Sequence, residues 1–213
     1  MSLISRLVTI ILIFMMPFIA GAQELYVFSE PASNMPARSV SFKLTGRFPD
    51  SKLNDYFKQR YIPEVMFGLS KKWMLHISTS LSDYYSNKVR PESIKTYLKW
   101  RFLSNDDVHK HFRMAAFMEI SASRNDYLYD EFTLDGDLDG MQTGIIATQL
   151  VNRLAVSGTV SFMQGFGATS THHGSESQHL SMMNYSLSAG YLLFPREYTD
   201  YKQTNLNLYL EFL

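Results

Sequence analysis

The chain has 213 residues, no cysteine, and 20 basic against 20 acidic side chains. A disulfide scaffold, a thiolate zinc site and a cysteine nucleophile are therefore excluded, and no net field draws the chain towards nucleic acid. Aromatic residues make up 14% of it, which suits strands. The first predicted element is a leader. Met1 to Arg6 is a short basic stretch, Leu7 to Ala20 is almost wholly apolar, and Ala20-Gly21-Ala22 supplies small residues for a signal peptidase. The apolar run falls short of the roughly 20 residues of a spanning helix. Export with cleavage near Ala22 is expected. Residues 1–22 are then a signal peptide, 23–38 a periplasmic N-terminal segment and 39–213 the folded domain.

After the leader the chain alternates apolar and polar residues, the period of two that marks a strand with unlike faces. Val40, Phe42, Leu44 and Phe48 alternate with Ser41, Lys43, Thr45 and Arg47, and Val65, Phe67 and Leu69 with Glu64, Met66 and Gly68. Trp73, Leu75, Ile77, Thr79 and Leu81 oppose Met74, His76, Ser78 and Ser80; Ile94, Thr96, Leu98, Trp100 and Phe102 oppose Lys95, Tyr97, Lys99 and Arg101. In "HFRMAAFMEISAS" the apolar set is Phe112, Met114, Ala116, Met118 and Ile120. Ile146, Thr148 and Leu150 open the next strand, then Leu154, Val156, Val160 and Phe162 oppose Ala155, Ser157, Thr159 and Ser161. Tyr185, Leu187, Ala189, Tyr191 and Leu193 face away from Ser186, Ser188 and Gly190, and Leu206, Leu208, Leu210 and Phe212 from Asn207, Tyr209 and Glu211. This gives about nine strands, most close to the roughly 9–11 residues of a tilted transmembrane strand.

The connections separate a sandwich from a membrane barrel. They alternate long and short: Pro49 to Arg60, Lys71-Lys72, Asp83 to Glu92, Ser104 to Val108, Arg124 to Met141, Asn152-Arg153, Gly165 to Gln178, then an intermediate Pro195 to Lys202. Outer-membrane barrels show this alternation of surface loops and periplasmic turns. The expected fold is all-β, a transmembrane antiparallel up-and-down β-barrel in the outer membrane of a Gram-negative bacterium, with lipid covering the apolar stripe of each strand. Trp73, Trp100 and Phe102 lie near short turns, and Tyr84, Tyr85, Phe162 and Phe166 towards long loops, as two interfacial girdles would require. An odd strand count is unusual for such barrels. Either Glu24 to Phe28 adds a strand or the chain continues past Leu213; continuation is favoured because "LNLYLEFL" has no return strand. About ten to twelve strands are expected in the complete protein.

The segments "ELYVFSEPASNMPARS", "DDVHKHFRMAAF", "GIIATQLVNRLAVSG" and "PREYTDYKQTNLNLYLEFL" resemble a family of uncharacterised Gram-negative outer-membrane β-barrel proteins, across nearly the whole chain after the leader. Members of that family continue for several tens of residues past the "LEFL" element, which the resemblance implies here too. More distantly, and on architecture more than motifs, the chain is similar to barrels grouped as meta-pathway phenol-degradation transporters. The resemblance brings no substrate and no catalytic residue.

Inward-facing residues are the functional candidates: Lys43, Arg47, Glu64, Lys95, Lys99, Arg101, Arg113, Glu119 and Glu211. A mildly basic interior would favour small anionic or aromatic solutes. Alternatively the charges pair across neighbouring strands and plug a narrow barrel, with Arg113 and Glu119 on one strand as candidates for such pairing. The leading function is passage or binding of a small solute. The alternatives are a lipid-modifying enzyme in the barrel wall and a passive envelope protein interacting through its loops. No Gly-x-Ser-x-Gly elbow supports the enzyme, and no cofactor, nucleic-acid partner or defined oligomer is read from the chain. Asp135, Asp137 and Asp139 in "TLDGDLDG" resemble half a calcium loop, but Ile146 stands where a bidentate acid is required. The acidic stretch is therefore read as a solvated surface loop, and His172, His173 and His179 as exposed loop histidines without a metal.

Overall fold

The computed structural model describes residue 26 and residues 28–48, 58–86, 88–108, 110–125, 133–166, 181–195 and 206–213. The signal peptide expected at 1–22, His109 and the group of His172, His173 and His179 lie outside them. The strands are β1 (Val40–Arg47), β2 (Arg60–Gly68), β3 (Trp73–Ser82), β4 (Arg90–Asp106), β5 (Lys110–Ser123), β6 (Gly140–Val151), β7 (Leu154–Gly165), β8 (Ser181–Phe194) and β9 (Leu206–Phe212). They pair antiparallel in chain order as one 9-stranded sheet, curled into a half-barrel. Among the described residues no helix forms, and β1 and β9 each have a neighbour on one side only.

The period of two divides the sheet into unlike faces. Phe42, Ile77, Ile94, Val160, Tyr185 and Leu208 share the outer face and are exposed. The registers place Lys43 opposite Glu64, Met66 opposite His76, His76 opposite Tyr97, and Tyr97 opposite Glu119 on the inner face. That face continues through Gln142, Met163 and Met182. Trp73 and Trp100 form a cross-strand pair, with rings stacked 5.8 Å apart, on the outer face beside the short connections.

Several details differ from the sequence reading. Ile146, Thr148 and Leu150 lie on the inner face, since Ala115 pairs with Ile146 and Arg113 with Thr148; Ile145, Ala147, Gln149 and Val151 form the outer row. The adjacent Ile145-Ile146 pair fits either register, and packing decides: Ile146 joins Ala32 and Ala115 in a small inner core. Strand β2 begins at Arg60 although Pro63 lies within it. Proline has no N–H to donate, and the β2–β3 register accordingly skips from Tyr61 to Glu64. Tyr84 and Tyr85 leave the outer girdle and turn inwards, Tyr84 stacking under the Arg60 guanidinium at 4.1 Å and Tyr85 donating to Asp137 at 2.9 Å. The alternation of connection length ends at β8, because the 195–205 connection is longer than the 83–89 one.

Gly144 brings β6 close against both neighbouring strands. A Cβ there would lie 2.6 Å from the Val160 carbonyl oxygen and 2.7 Å from Phe117 Cε1, whereas a Cβ at Gly158 would meet nothing nearer than 3.9 Å. Gly144→Ala is expected to cost about 1–3 kcal/mol as overpacking, and Gly158→Ala to stay within about 0.5 kcal/mol. Urea unfolding of the two variants beside the parent checks this.

Candidate functional site

Two segments of the chain cover the inner face, one towards each end of the strands. At the end of the short connections, residues 28–36 run across the sheet. Glu211 on β9 accepts from the Ser29 amide and hydroxyl, each at 2.7 Å, and Ser29 also bonds Ser188 on β8. The Ala32 amide donates to Thr148 on β6 at 2.9 Å, and Arg113 on β5 donates to the Ser33 hydroxyl at 3.0 Å. The segment's anchor is Lys99 on β4. Its ammonium is 0% exposed and donates to Glu30 Oε1 at 2.7 Å and to the carbonyls of Pro31 and Ser33 at 2.8 Å. An ammonium has three N–H donors, so this lysine is fully satisfied, the condition on which a charge tolerates burial.

At the opposite end the turn of residues 133–139 folds onto β1 to β4. Asp135 receives Arg47 Nη2 and Lys95 Nζ, both at 2.5 Å. Asp137 sits in the fork of Arg60, at 2.6 and 2.9 Å, and also accepts from Thr133 at 2.6 Å and from Tyr85. Leu134 and Leu138 are buried beside them. Gly136 makes the reversal with φ of 119°, and a Cβ there would meet the Ser80 hydroxyl; only glycine takes such a conformation freely. A bulge at Ser80/Leu81 turns both Glu92 and Ser93 inwards, the re-aiming that bulges permit. Glu92 then accepts from Ser82 and stands 3.4 Å from Arg60.

Between the covers lie side chains in close contact. His76 Nδ1 is 3.1 Å from Glu64, its ring is 4.8 Å from that of Tyr97, and Tyr97 stacks on Phe117 at 5.3 Å. Lys95 is 3.5 Å from Glu119. The His76 Nε2, Tyr97 hydroxyl and Ser121 hydroxyl are buried and find no hydrogen-bond partner among the described residues. A nucleophile activated by His76 would need to reach that nitrogen, and among the described residues no serine does.

The residues singled out from sequence therefore lie on one face, and most carry a named partner. Lys43 faces Glu64 across the β1–β2 ladder, Arg47 and Lys95 hold Asp135, Lys99 holds Glu30, and Arg101 donates to the Lys71 carbonyl at 2.7 Å. Arg113 pairs with Asp106 at 2.9 Å and Glu119 with Lys95 at 3.5 Å, so both residues of β5 pair across to β4, the cross-strand pairing expected of them. The acidic stretch is not a solvated loop. Asp135 and Asp137 are seated on cations, and Asp139 accepts from the Ser123 amide. Arg60, Glu92 and Glu30 were not among the candidates. Arg60 carries a signal in retrospect, since it continues the row Ile62, Glu64, Met66 at period two.

Burial opposes ionisation of Asp135, but Lys95 and Arg47 outweigh it and hold the carboxyl down at about 2; Asp137 is likewise lowered, against burial, by Arg60, Thr133 and Tyr85. An unfolded aspartate titrates near 3.9. For a depressed folded value, the stabilisation is present above the unfolded value and is lost as pH falls through the folded one. The turn should stay seated from pH 8 to about 4 and loosen only towards 2. Amide hydrogen exchange at Leu134 to Leu138, corrected for intrinsic rates, checks this; loosening near pH 6 would contradict it.

Compared with protein-family models, curated proteins and solved structures, the chain matches none of them.

Proposed function

We propose that this chain is an outer-membrane β-barrel protein that passes or binds a small solute along its inner face. The observation that carries the reading is the inversion of polarity between faces. Val40, Phe42, Leu44, Ile77, Ile94, Val160, Tyr185, Leu208 and Leu210 are exposed on the outer face, while Arg60, His76, Glu92 and Lys99 are buried on the inner one. A water-soluble sheet buries its apolar face and wets its polar one. An apolar outer band with a polar interior is the arrangement of a barrel whose solvent is lipid. The stacked Trp73 and Trp100 beside the short connections suit an interfacial girdle, and the quoted segments that resemble outer-membrane barrels point the same way. In this reading further strands join the edges of β1 and β9, about ten to twelve in all, because an unpaired edge is costly in hydrocarbon.

The solute class that fits the inner face is small and anionic or aromatic. Arg47, Arg60 and Lys95 offer charge, and Tyr97 and Phe117 offer ring faces. The test is single-channel recording of the full-length protein in planar bilayers, with ion selectivity measured in asymmetric salt. Discrete conductance steps are expected. Insertion without conductance would overturn passage, and a monodisperse mature chain in detergent-free buffer would overturn the barrel.

A further inference from the structure

We propose that Arg47, Arg60 and Lys95 form a binding site for a small dicarboxylate, and that the turn of residues 133–139 occupies this site as a built-in competitor. The inference rests on the reading of the inner face as a solute path and names the ligand class and the gate.

The geometry is that of a ligand in its pocket. The turn presents two carboxylates two residues apart, each seated on its own cationic group: Asp135 on Arg47 and Lys95 at 2.5 Å, and Asp137 in the Arg60 fork at 2.6 and 2.9 Å. Bidentate pairing of this kind is the preferred way to recognise a carboxylate. The contacts that remain without the turn are longer. Lys95 keeps Glu119 at 3.5 Å and Arg60 keeps Glu92 at 3.4 Å, while among the described residues Arg47 forms its ion pair with Asp135 alone. When the turn leaves, each of these cations loses its shortest anionic partner, and a solute with two carboxylates could replace both at once. The turn belongs to the connection between β5 and β6 and adds no strand to the sheet, so its displacement leaves the ladder intact. Asp135 and Asp137 are thus stand-ins for ligand carboxylates. Binding of the solute and opening of this end are then linked, since a ligand that binds only the open state shifts the population towards it.

Because the chain has no cysteine, Leu138→Cys places a lone thiol at a position 1% exposed. The full-length variant is folded in detergent micelles and its maleimide labelling rate is measured with glutarate, with acetate and with chloride at matched ionic strength. Glutarate is expected to speed labelling by about tenfold or more, acetate and chloride far less. Adding Asp135→Asn and Asp137→Asn should give fast labelling without any solute. Leu134→Cys serves as the second reporter if the first does not fold. Labelling that is equally slow in all conditions overturns the proposal, as does chloride matching glutarate, which would mean simple screening. The readout needs no passage through a membrane. Positive labelling with silent bilayers therefore removes the transport reading alone, and conducting channels with unresponsive labelling remove the competitor alone.

Discussion

Arg60→Met is expected to remove about 3–5 kcal/mol of folding free energy, the cost of leaving buried charge without its counter-charge. Arg60 is 2% exposed and its partners Glu92 and Asp137 are buried with it. The methionine fills much of the volume but answers neither carboxylate. The prediction becomes specific when the carboxylates are neutralised too. Arg60→Met with Glu92→Gln and Asp137→Asn should regain most of the loss, because a buried ion cluster replaced as a whole by neutral groups is often close to neutral in energy. Urea unfolding of the protein in the micelles in which it folds, followed by the fluorescence of Trp73 and Trp100, supplies both numbers. If the single substitution costs under about 1 kcal/mol, the cluster is hydrated and the turn is held by Leu134 and Leu138 instead.

How much of this was legible beforehand follows from which forces are local. The strands were legible because a face that differs from its reverse writes period two into the chain, and the nine observed strands fall where that alternation runs. Strand β6 is the exception in its facing. With Ile145 and Ile146 adjacent, alternation has no preferred phase, and the choice is made by Ala32, which is distant in sequence. The inner charges were legible as a row, but their partners were not. Lys99 takes its anion from residue 30 and Arg60 from residue 137, and such pairings depend on how segments fold back over the sheet. Glu92 was hidden for another reason, since a bulge breaks the count that would have placed it. Pro63 masked the start of β2, and Arg60 with it, by discouraging a strand where its missing N–H is tolerated.

The reading of the outer face stands or falls on a comparison along one strand. Val160 lies midway along β7, exposed, with the likewise exposed Ile145 and Tyr185 as its cross-strand neighbours; Leu154 opens the same strand beside the Asn152-Arg153 connection and is exposed to a degree similar to Val160. In water the two sites are equivalent, and Val160→Lys and Leu154→Lys should each change stability by no more than about 0.5 kcal/mol. In a bilayer they differ by depth. Val160→Lys should cost about 2–4 kcal/mol at the midplane and Leu154→Lys about 0–1 near the interface, where the ammonium can snorkel to water. Unfolding from lipid vesicles by denaturant, with both variants and the parent measured side by side, separates the cases. A depth-dependent penalty needs hydrocarbon against the outer face, because no contact within the chain distinguishes these two exposed positions so strongly. Equal and small effects would mean that water or another protein surface lies against Val160, and the solute path along the inner face would lose its membrane.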